Sequence, residues 1–198
     1  MRLFIAAYLP AAVERHFAQM VGTLAVARPM PEGRSLRLAP AEQWHMTLAF
    51  LGEVDDARRD DAVEVMGALP VDRPVVRIAG GGTFGRGKFT TLVAKVDGDL
   101  ATLGGAVRKL LKRRRLPFDR RPLQPHVTIA RPGDRLPAAD VAADLEVLHA
   151  YAGPEWVVDD VRLMKSELGP RPTYEVLATA RAGERNADRH DPAEHELR

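Results

Sequence analysis

Apolar and polar residues follow two different periods along the chain, which predict short strands interspersed with amphipathic helices. Apolar positions at helical spacing predict helices at Pro10 to about Ala27, Asp55–Leu69, Asp99–Arg115 and Ala138–His149. Short apolar runs bounded by turn residues predict strands, at Arg2–Tyr8, Ser35–Leu38, Met46–Leu51, Val75–Ala79, Phe89–Val96, Val127–Ala130, Trp156–Leu168 and Tyr174–Ala180. Because these elements alternate irregularly, the pattern favours an α+β fold over a regular doubly wound sheet.

The order of elements is repeated along the chain. A strand and a helix precede the stretch W-H-M-T-L-A-F, and a strand and a helix precede P-H-V-T-I-A-R. We interpret this as two similar lobes that arose by duplication. Residues 1–180 are therefore predicted to form a single bilobal domain. Residues 181–198 are polar, mixed in charge and without period, which predicts a disordered tail.

The composition is that of an ordinary soluble globular protein, with 45% hydrophobic and 28% charged residues. No apolar run approaches the roughly 20 residues that a membrane helix requires. The first residues read better as a strand than as a signal peptide. The absence of cysteine excludes a disulfide framework and thiolate chemistry. We therefore expect a cytoplasmic protein.

Positive charge is concentrated in one segment, although the formal net charge is only +2. The run Lys109–Arg121, K-L-L-K-R-R-R-L-P-F-D-R-R, contains seven basic residues and one acid. Such a patch suits a phosphate-bearing partner. It is equally typical of the solvated C-terminal end of an amphipathic helix, and the sequence leaves both interpretations open.

The same short motif occurs in two of the predicted strands. His45-Met46-Thr47-Leu48 and His126-Val127-Thr128-Ile129 both read histidine, apolar, threonine, apolar. Since alternate residues of a strand share a face, each histidine should point the same way as its threonine, opposite the apolar pair. A single copy would be typical of a hydrogen-bonded histidine on a half-buried strand. Two matched copies favour a functional site.

Two imidazoles can supply both proton transfers that displacement at phosphorus requires. Histidine titrates near neutral pH, so one ring can accept a proton while the other donates one. The hydroxyls of Thr47 and Thr128 can donate hydrogen bonds to phosphate oxygens, and Arg131 can add a charge-assisted contact. No acidic cluster accompanies the histidines, so we expect no metal and no other cofactor.

The paired motifs H-M-T-L and H-V-T-I resemble those of the two-histidine (2H) phosphoesterases. Within that superfamily the chain is similar to the RNA 2′,3′-cyclic phosphodiesterases, also called 2′-5′ RNA ligases. The similarity covers about residues 1–180. The segments that carry it are M-R-L-F-I-A, L-R-L-A-P-A-E-Q-W-H-M-T-L-A-F-L-G-E-V, R-P-L-Q-P-H-V-T-I-A-R and S-E-L-G-P-R-P-T-Y-E-V-L.

The resemblance implies a bilobal fold in which each lobe has an antiparallel sheet with outer helices, around a central cleft that holds one motif from each lobe. It implies opening of a terminal RNA 2′,3′-cyclic phosphate to a 2′-phosphomonoester without a metal, with accompanying reversible 2′-5′ ligase activity. His45 would give a proton to the departing 3′ oxygen, and His126 would activate water. Thr47, Thr128 and Arg131 would hold the phosphate.

The expected partners are RNA with 2′,3′-cyclic phosphate ends, or small nucleotides, with no membrane contact and a monomeric chain. The sequence leaves two alternatives open. One is a 2H phosphodiesterase that acts on a small cyclic nucleotide or on ADP-ribose cyclic phosphate. The other is a protein that binds RNA phosphate ends without catalysis, although binding alone does not need two matched proton-transfer groups. The chain also departs from the family, because Leu38 stands where an aromatic residue is frequent.

Several other features are weaker candidates. Gly80–Gly85, G-G-G-T-F-G, resembles a dinucleotide-binding motif, but no helix is predicted after it as that motif requires. We expect a flexible hairpin there, with Phe84 or Phe89 contacting either a base or the core. Tyr174 could line the cleft or pack in the core. The other histidines are expected to be surface or structural residues without partners, or to lie in the tail without a metal: His16, His149, His190 and His195.

Overall fold

A computed structural model describes residues 1–30, 36–167, 169 and 172–183 of the chain. The α-helices within these residues are α1 (Ala11–Val21), α2 (Arg59–Gly67), α3 (Leu100–Arg113) and α4 (Ala138–Ala150). The strands are β1 (Arg2–Tyr8), β2 (His45–Glu53), β3 (Val75–Phe84), β4 (Thr91–Gly98), β5 (His126–Ala130), β6 (Trp156–Val157), β7 (Asp160–Glu167) and β8 (Thr173–Arg181). In this part of the chain, no helix has the length and apolar character needed to cross a membrane.

The described strands form a single antiparallel sheet in the order β6-β3-β4-β5-β2-β1-β7-β8. Its two halves meet where β2 lies beside β5, through the pairing of Met46 with Val127. Each half has four strands, and one H-x-T-x motif occupies the inner strand of each. The structure thus confirms the α+β fold with two similar halves and places both motifs at their junction.

The repeated order of elements is also present in three dimensions. The unit β1–α1–β2 in one half corresponds to β4–α3–β5 in the other. After each motif strand the chain crosses over. Thus α2 leads from β2 into β3 of the opposite half, and the segment after β5 leads through α4 to β6 and then to β7 beside β1. Correspondingly, α2 packs on β7 and β8, and α4 packs on β3. The two halves therefore exchange strands and cannot be cut apart at a single linker.

The sheet must be strongly curled. In a flat sheet β6 and β7 would lie six strand spacings apart, or about 29 Å. Only Val158 and Asp159 connect them, and three consecutive Cα–Cα steps span at most about 11 Å. The edge strand β6 and the strand β7, which is next to the other edge, are therefore brought close together.

A large hydrophobic core lies between the sheet and the helices, and a smaller cluster of Phe4, Ala6 and Met164 is separate from it. Helix α3 contributes a stripe of fully buried side chains at helical spacing, namely Leu100, Leu103, Val107 and Leu111. Burying one such side chain contributes about 1.5–3 kcal/mol. The carboxylate of Asp99 accepts a hydrogen bond from the backbone N–H of Thr102 and begins the helix.

Some predicted boundaries were wrong. Helix α1 ends at Val21, and residues Ala25–Ala27 form a separate 3₁₀ turn. The buried carboxylate of Asp144 fixes that turn, because it accepts hydrogen bonds from Ala25 N (2.6 Å) and Val26 N (3.0 Å). The helix predicted from Asp55 begins instead as a 3₁₀ turn, and α2 starts at Arg59.

Two strand predictions also need correction. The run from Trp156 is two strands, β6 and β7, which lie in different halves of the sheet. The glycines predicted as a flexible loop lie inside β3, which continues to Phe84 with an irregular register between Ile78 and Gly81. A Cβ at Gly81 would lie 2.5 Å from Cβ of Leu148, so close packing of α4 on β3 accounts for that glycine.

Parts of three predictions lie outside the described residues: Ser35 of the short strand, Leu168 at the end of the β7 run, and 184–198 of the tail. Leu38 forms an isolated antiparallel bridge with Ala130. The domain boundaries 1–180 and 181–198 stay predictions. The last described strand, β8, ends at Arg181.

Candidate active site

Both H-x-T-x motifs present their polar residues to one cavity of about 580 Å³. Met46 and Val127 pair across the junction of the two halves and are fully buried in the core. Alternation along β2 and β5 therefore places the histidine and threonine of each motif on the opposite face. The predicted site residues all line this cavity: His45, Thr47, His126, Thr128 and Arg131.

Both histidine rings are oriented by a hydrogen bond to the main-chain carbonyl two residues before them. Nδ1 of His45 lies 2.7 Å from the carbonyl oxygen of Gln43, and Nδ1 of His126 lies 2.6 Å from that of Gln124. Since a carbonyl only accepts hydrogen bonds, Nδ1 of each ring must carry the proton and donate it. This leaves Nε2 of both rings for chemistry in the cavity.

The glutamine before each motif was missed by the sequence analysis, although the repeat extends to Q-x-H-x-T-x-A in both copies. Because the main-chain carbonyl makes the contact, residue type does not reveal it. The side chain of Gln43 has a further contact, since its Nε2 donates to the carbonyl oxygen of Pro172 at 3.0 Å. This bond joins the segment before His45 to the start of β8.

His45 is enclosed by aromatic rings. Phe4 stacks on it with centroids 4.9 Å apart, Tyr8 lies at 5.4 Å, and Tyr174 meets it edge-on at 5.8 Å. The pKa of His45 is lowered to about 4. Burial, which disfavours the charged ring, is the largest cause; the hydrogen bond to Gln43 opposes it, and the positive charge of Arg131 adds to it.

His126 has a different neighbour but the same direction of shift. The ring of Phe84 meets it edge-on with centroids 4.8 Å apart. Burial lowers the pKa of His126, the hydrogen bond to Gln124 opposes this, and Arg131 lowers it further. Both imidazoles are therefore neutral at pH 7 in the free protein.

Arg131 follows directly after β5 and is electrostatically coupled to both histidines. Its backbone N–H donates to the carbonyl oxygen of Arg37 at 3.1 Å. The neighbouring Ala39 N–H donates to Ile129 O at 2.8 Å. The segment around Leu38 thus extends the sheet beside β5 and fixes the backbone from which Arg131 projects.

The structure decides several features that the sequence left open. Tyr174 and Phe84 line the cavity. Phe89 is 72% exposed beneath the ammonium of Lys88 and is not among the lining residues. Cavity residues that the sequence analysis did not single out are Arg2, Phe4, Phe50, Arg108, Asp119, Leu123 and Ser166.

The remaining histidines are separate from this site. His16 was expected to have no partner, but its Nδ1 lies 2.8 Å from the hydroxyl of Tyr151. His149 is exposed. His190 and His195 lie outside the described residues. Among the residues that are described, no three His, Cys, Asp or Glu side chains are grouped so that they could hold a metal ion.

Comparison with known proteins identifies the family. Residues 9–170 match the model of the 2′-5′ RNA ligase superfamily. The chain is 32% identical over 191 residues to an RNA 2′,3′-cyclic phosphodiesterase of Thermus thermophilus, covering 89% of this chain and 88% of that protein. It is 28% identical over 144 residues to one of Geobacillus stearothermophilus, covering 69% of this chain and 45% of the relative.

Solved structures agree with this result. A crystal structure of a Thermus thermophilus protein superposes with a TM-score of 0.70 at 28% identity, over 91% of this chain and 97% of that one. Apo LigT of E. coli has a TM-score of 0.67 at 20% identity, over 92% and 98%, and shows the same fold. With two matched histidine motifs facing one cleft in that fold, the chain belongs to the 2′-5′ RNA ligase superfamily of 2H phosphoesterase enzymes.

Proposed function

We propose that this protein hydrolyses the terminal 2′,3′-cyclic phosphate of RNA to a 2′-phosphomonoester by acid-base catalysis with two histidines. The observation that carries the proposal is the symmetric pair of rings. Each has Nδ1–H bonded to a carbonyl and Nε2 left for the same cavity. The name of the Thermus thermophilus relative, RNA 2′,3′-cyclic phosphodiesterase, adds support.

The proposed reaction uses each ring once. Nε2 of His126 takes a proton from water as the water oxygen attacks phosphorus. Nε2 of His45, which must be protonated at that moment, gives its proton to the 3′ oxygen as the P–O3′ bond breaks. The pair ends with His126 protonated and His45 neutral, and exchange of one proton with solvent restores the starting state. The assignment of acid and base follows the family, because the two halves are related by symmetry.

The other predicted residues hold the phosphate. The hydroxyls of Thr47 and Thr128 lie on the same face as the rings and can donate to the non-bridging oxygens. Arg131 supplies positive charge where negative charge develops on those oxygens. In the accompanying ligation, the 5′-hydroxyl of a second RNA replaces water, so a P–O5′ bond forms and a 2′-5′ linkage results.

The test is turnover of an oligoribonucleotide that ends in 2′,3′-cyclic phosphate, with a chelator present, followed by identification of the monoester. We expect the 2′-phosphate. His45→Ala and His126→Ala should each lower kcat by two or more orders of magnitude, the usual scale for positioned acid-base groups. The exposed His149→Ala is the matched control. A 3′-phosphate product, loss of activity with chelator, or wild-type rate in either variant would overturn the mechanism.

A further inference from the structure

The cavity extends well beyond the two histidines. On β1, Tyr8 pairs with His45 whereas Arg2 pairs with Glu53. Six strand positions separate these residues, which corresponds to about 20 Å. Yet Arg2 and the histidines line the same cavity. There is thus a second end to the cleft, away from the phosphate that reacts.

Three arginines from different elements line the cavity: Arg2 from β1, Arg108 from α3, and Arg121 from the segment before β5. Phe50, which contacts Arg2, also accepts a backbone hydrogen bond from the segment of Arg121, and Arg121 accepts one from Arg108, which places all three at this second end. We call them the arginine arm. The guanidinium carbon of Arg2 lies 4.9 Å from the ring centroid of Phe50, a cation–π contact that holds the side chain against the cleft wall. A cation–π contact does not use the N–H groups of the guanidinium, so they can still donate to a ligand.

Arg108 and Arg121 are linked to each other and to the sheet. Arg108 Nη2 donates to the carbonyl oxygen of Arg121 at 2.7 Å. The backbone N–H of Asp119 donates to Phe50 O at 2.8 Å, which ties this segment to β2. Nε of Arg108 is buried and has no hydrogen-bond partner among the described residues. The Arg108 side chain as a whole lines the cavity, and its positive charge favours an anionic ligand there.

One carboxylate accompanies the arginine arm. Asp119 accepts hydrogen bonds from Nε of Arg121, at 2.9 Å to Oδ2, and from its backbone N–H, at 3.0 Å to Oδ1. These bonds lower the pKa of Asp119 to about 2, so it stays ionised and occupies part of the Arg121 guanidinium. Asp119 is the one carboxylate in the described cavity lining. The lining contains four arginines, namely the three of the arginine arm and Arg131 beside the histidines. The whole cleft therefore attracts a polyanion rather than a single charge.

We propose that the arginine arm binds the phosphodiester backbone that precedes the terminal nucleotide, so that the enzyme prefers RNA chains to mononucleotide cyclic phosphates. This inference rests on the proposed function, because it specifies which molecules that bear the reacting group fit the cleft. Asp119 holds Arg121 in the free protein, and the incoming phosphodiester competes with it for the guanidinium.

The experiment compares kcat/KM for a 2′,3′-cyclic mononucleotide and for a trinucleotide with the same cyclic end. We expect the wild type to favour the trinucleotide at least tenfold. Arg2→Gln and Arg121→Gln should each reduce that ratio about tenfold, the effect of removing one charge-assisted hydrogen bond. Arg120→Gln is the matched control, because Arg120 is exposed, adjacent and not among the lining residues. Asp119→Asn should raise the ratio, since it frees Arg121.

Two further measurements separate this role from a structural one. A trinucleotide whose upstream linkages are neutral methylphosphonates should lose the preference in the wild type, and Arg121→Gln should then have no additional effect on the ratio. In Arg2→Gln and Arg121→Gln, the slope of log KM against the logarithm of the salt concentration should become smaller for the charged trinucleotide. The decrease should be about 0.7 for each phosphate that the variant no longer neutralises.

The outcomes distinguish the two proposals. If the cyclic mononucleotide is hydrolysed but the wild type shows no preference for chains, the arginine arm does not bind the backbone. Equal losses on both substrates in Arg2→Gln and Arg121→Gln would overturn it as well. If no substrate with a cyclic phosphate is hydrolysed at any length, the proposed function itself is wrong.

Discussion

The pH dependence of catalysis should reveal the lowered pKa values of the two histidines. The proposed reaction requires one proton on the pair, and kcat/KM reports the protonation state of the free enzyme. Burial and Arg131 lower the pKa of both rings below their ordinary 6.5. Above that pH most free molecules carry no proton on either ring, so the population of the active form falls tenfold per pH unit.

The size of the effect follows from His45. A ring with a pKa of about 4 is protonated in about one molecule in a thousand at pH 7. The shift from 6.5 corresponds to about 3 kcal/mol against protonation. Which ring carries the single proton does not alter the shape of the profile, because the pair titrates with two macroscopic pKa values. Both values lie below 6.5, and so does the optimum of kcat/KM.

Substrate binding should reverse part of this shift. The cyclic phosphate brings a negative charge beside both rings, which favours their protonated forms and raises their pKa values. Because kcat reports the enzyme–substrate complex, its profile should be displaced to higher pH than that of kcat/KM. The separation between the two pH profiles measures how far the bound phosphate raises the pKa values of the two histidines.

The assay is initial-rate hydrolysis of a cyclic-ended oligonucleotide between pH 5 and 9 at constant ionic strength. We expect kcat/KM to fall about tenfold per unit between pH 7 and 8. Arg131→Gln is the companion variant: it should lower the rate, but shift the kcat/KM profile towards higher pH, because Arg131 lowers both pKa values. A kcat/KM that is flat or rising from pH 6.5 to 8 would refute the reasoning.

Two predictions concern stability, measured as the free energy of unfolding in denaturant. Gly81→Ala should destabilise the fold by about 1–3 kcal/mol, because the new Cβ would lie 2.5 Å from Cβ of Leu148. In contrast, a Cβ at Gly105, in the middle of α3, meets nothing within 4 Å, so Gly105→Ala should stabilise the fold by about 0.5–1 kcal/mol. Changes of the same sign in both variants would contradict this. Asp144→Ala should destabilise the fold by about 3 kcal/mol, because it leaves the buried N–H groups of Ala25 and Val26 without acceptors. Asp144→Asn should destabilise it less. An Ala variant within about 0.5 kcal/mol of the wild type would show that other groups replace the carboxylate.

Local pattern was sufficient for much of this molecule. The strand period of two assigned His45 and Thr47 to one face and Met46 and Leu48 to the other, and the burial pattern of β2 confirms that assignment. The helical spacing in α3 likewise predicted its buried stripe. Such periodicities report the local conformation and the buried face of an element, which depend on neighbouring residues only.

Strand pairing and packing between segments that are distant in sequence could not be predicted from the local pattern of residues. The run from Trp156 starts with apolar residues, and nothing in it reveals that β6 and β7 lie in different halves of the curled sheet, because that division depends on pairing with β3 and β1. The glycines near Gly81 read as a loop because nothing in the sequence reveals that Leu148 packs against them.

The amino-acid sequence was sufficient to predict the polar groups that line this cavity, namely two histidines, two threonines and an arginine on or next to two similar strands. Tertiary structure alone decided what surrounds them. The pairing of Met46 with Val127 brings the motifs together, burial shifts both pKa values, and the curled sheet assembles Arg2, Arg108 and Arg121 at one end of the cleft. Residue identity fixes which protons and charges a side chain can offer, whereas their energies and their convergence depend on the solvent and neighbours that folding leaves around them.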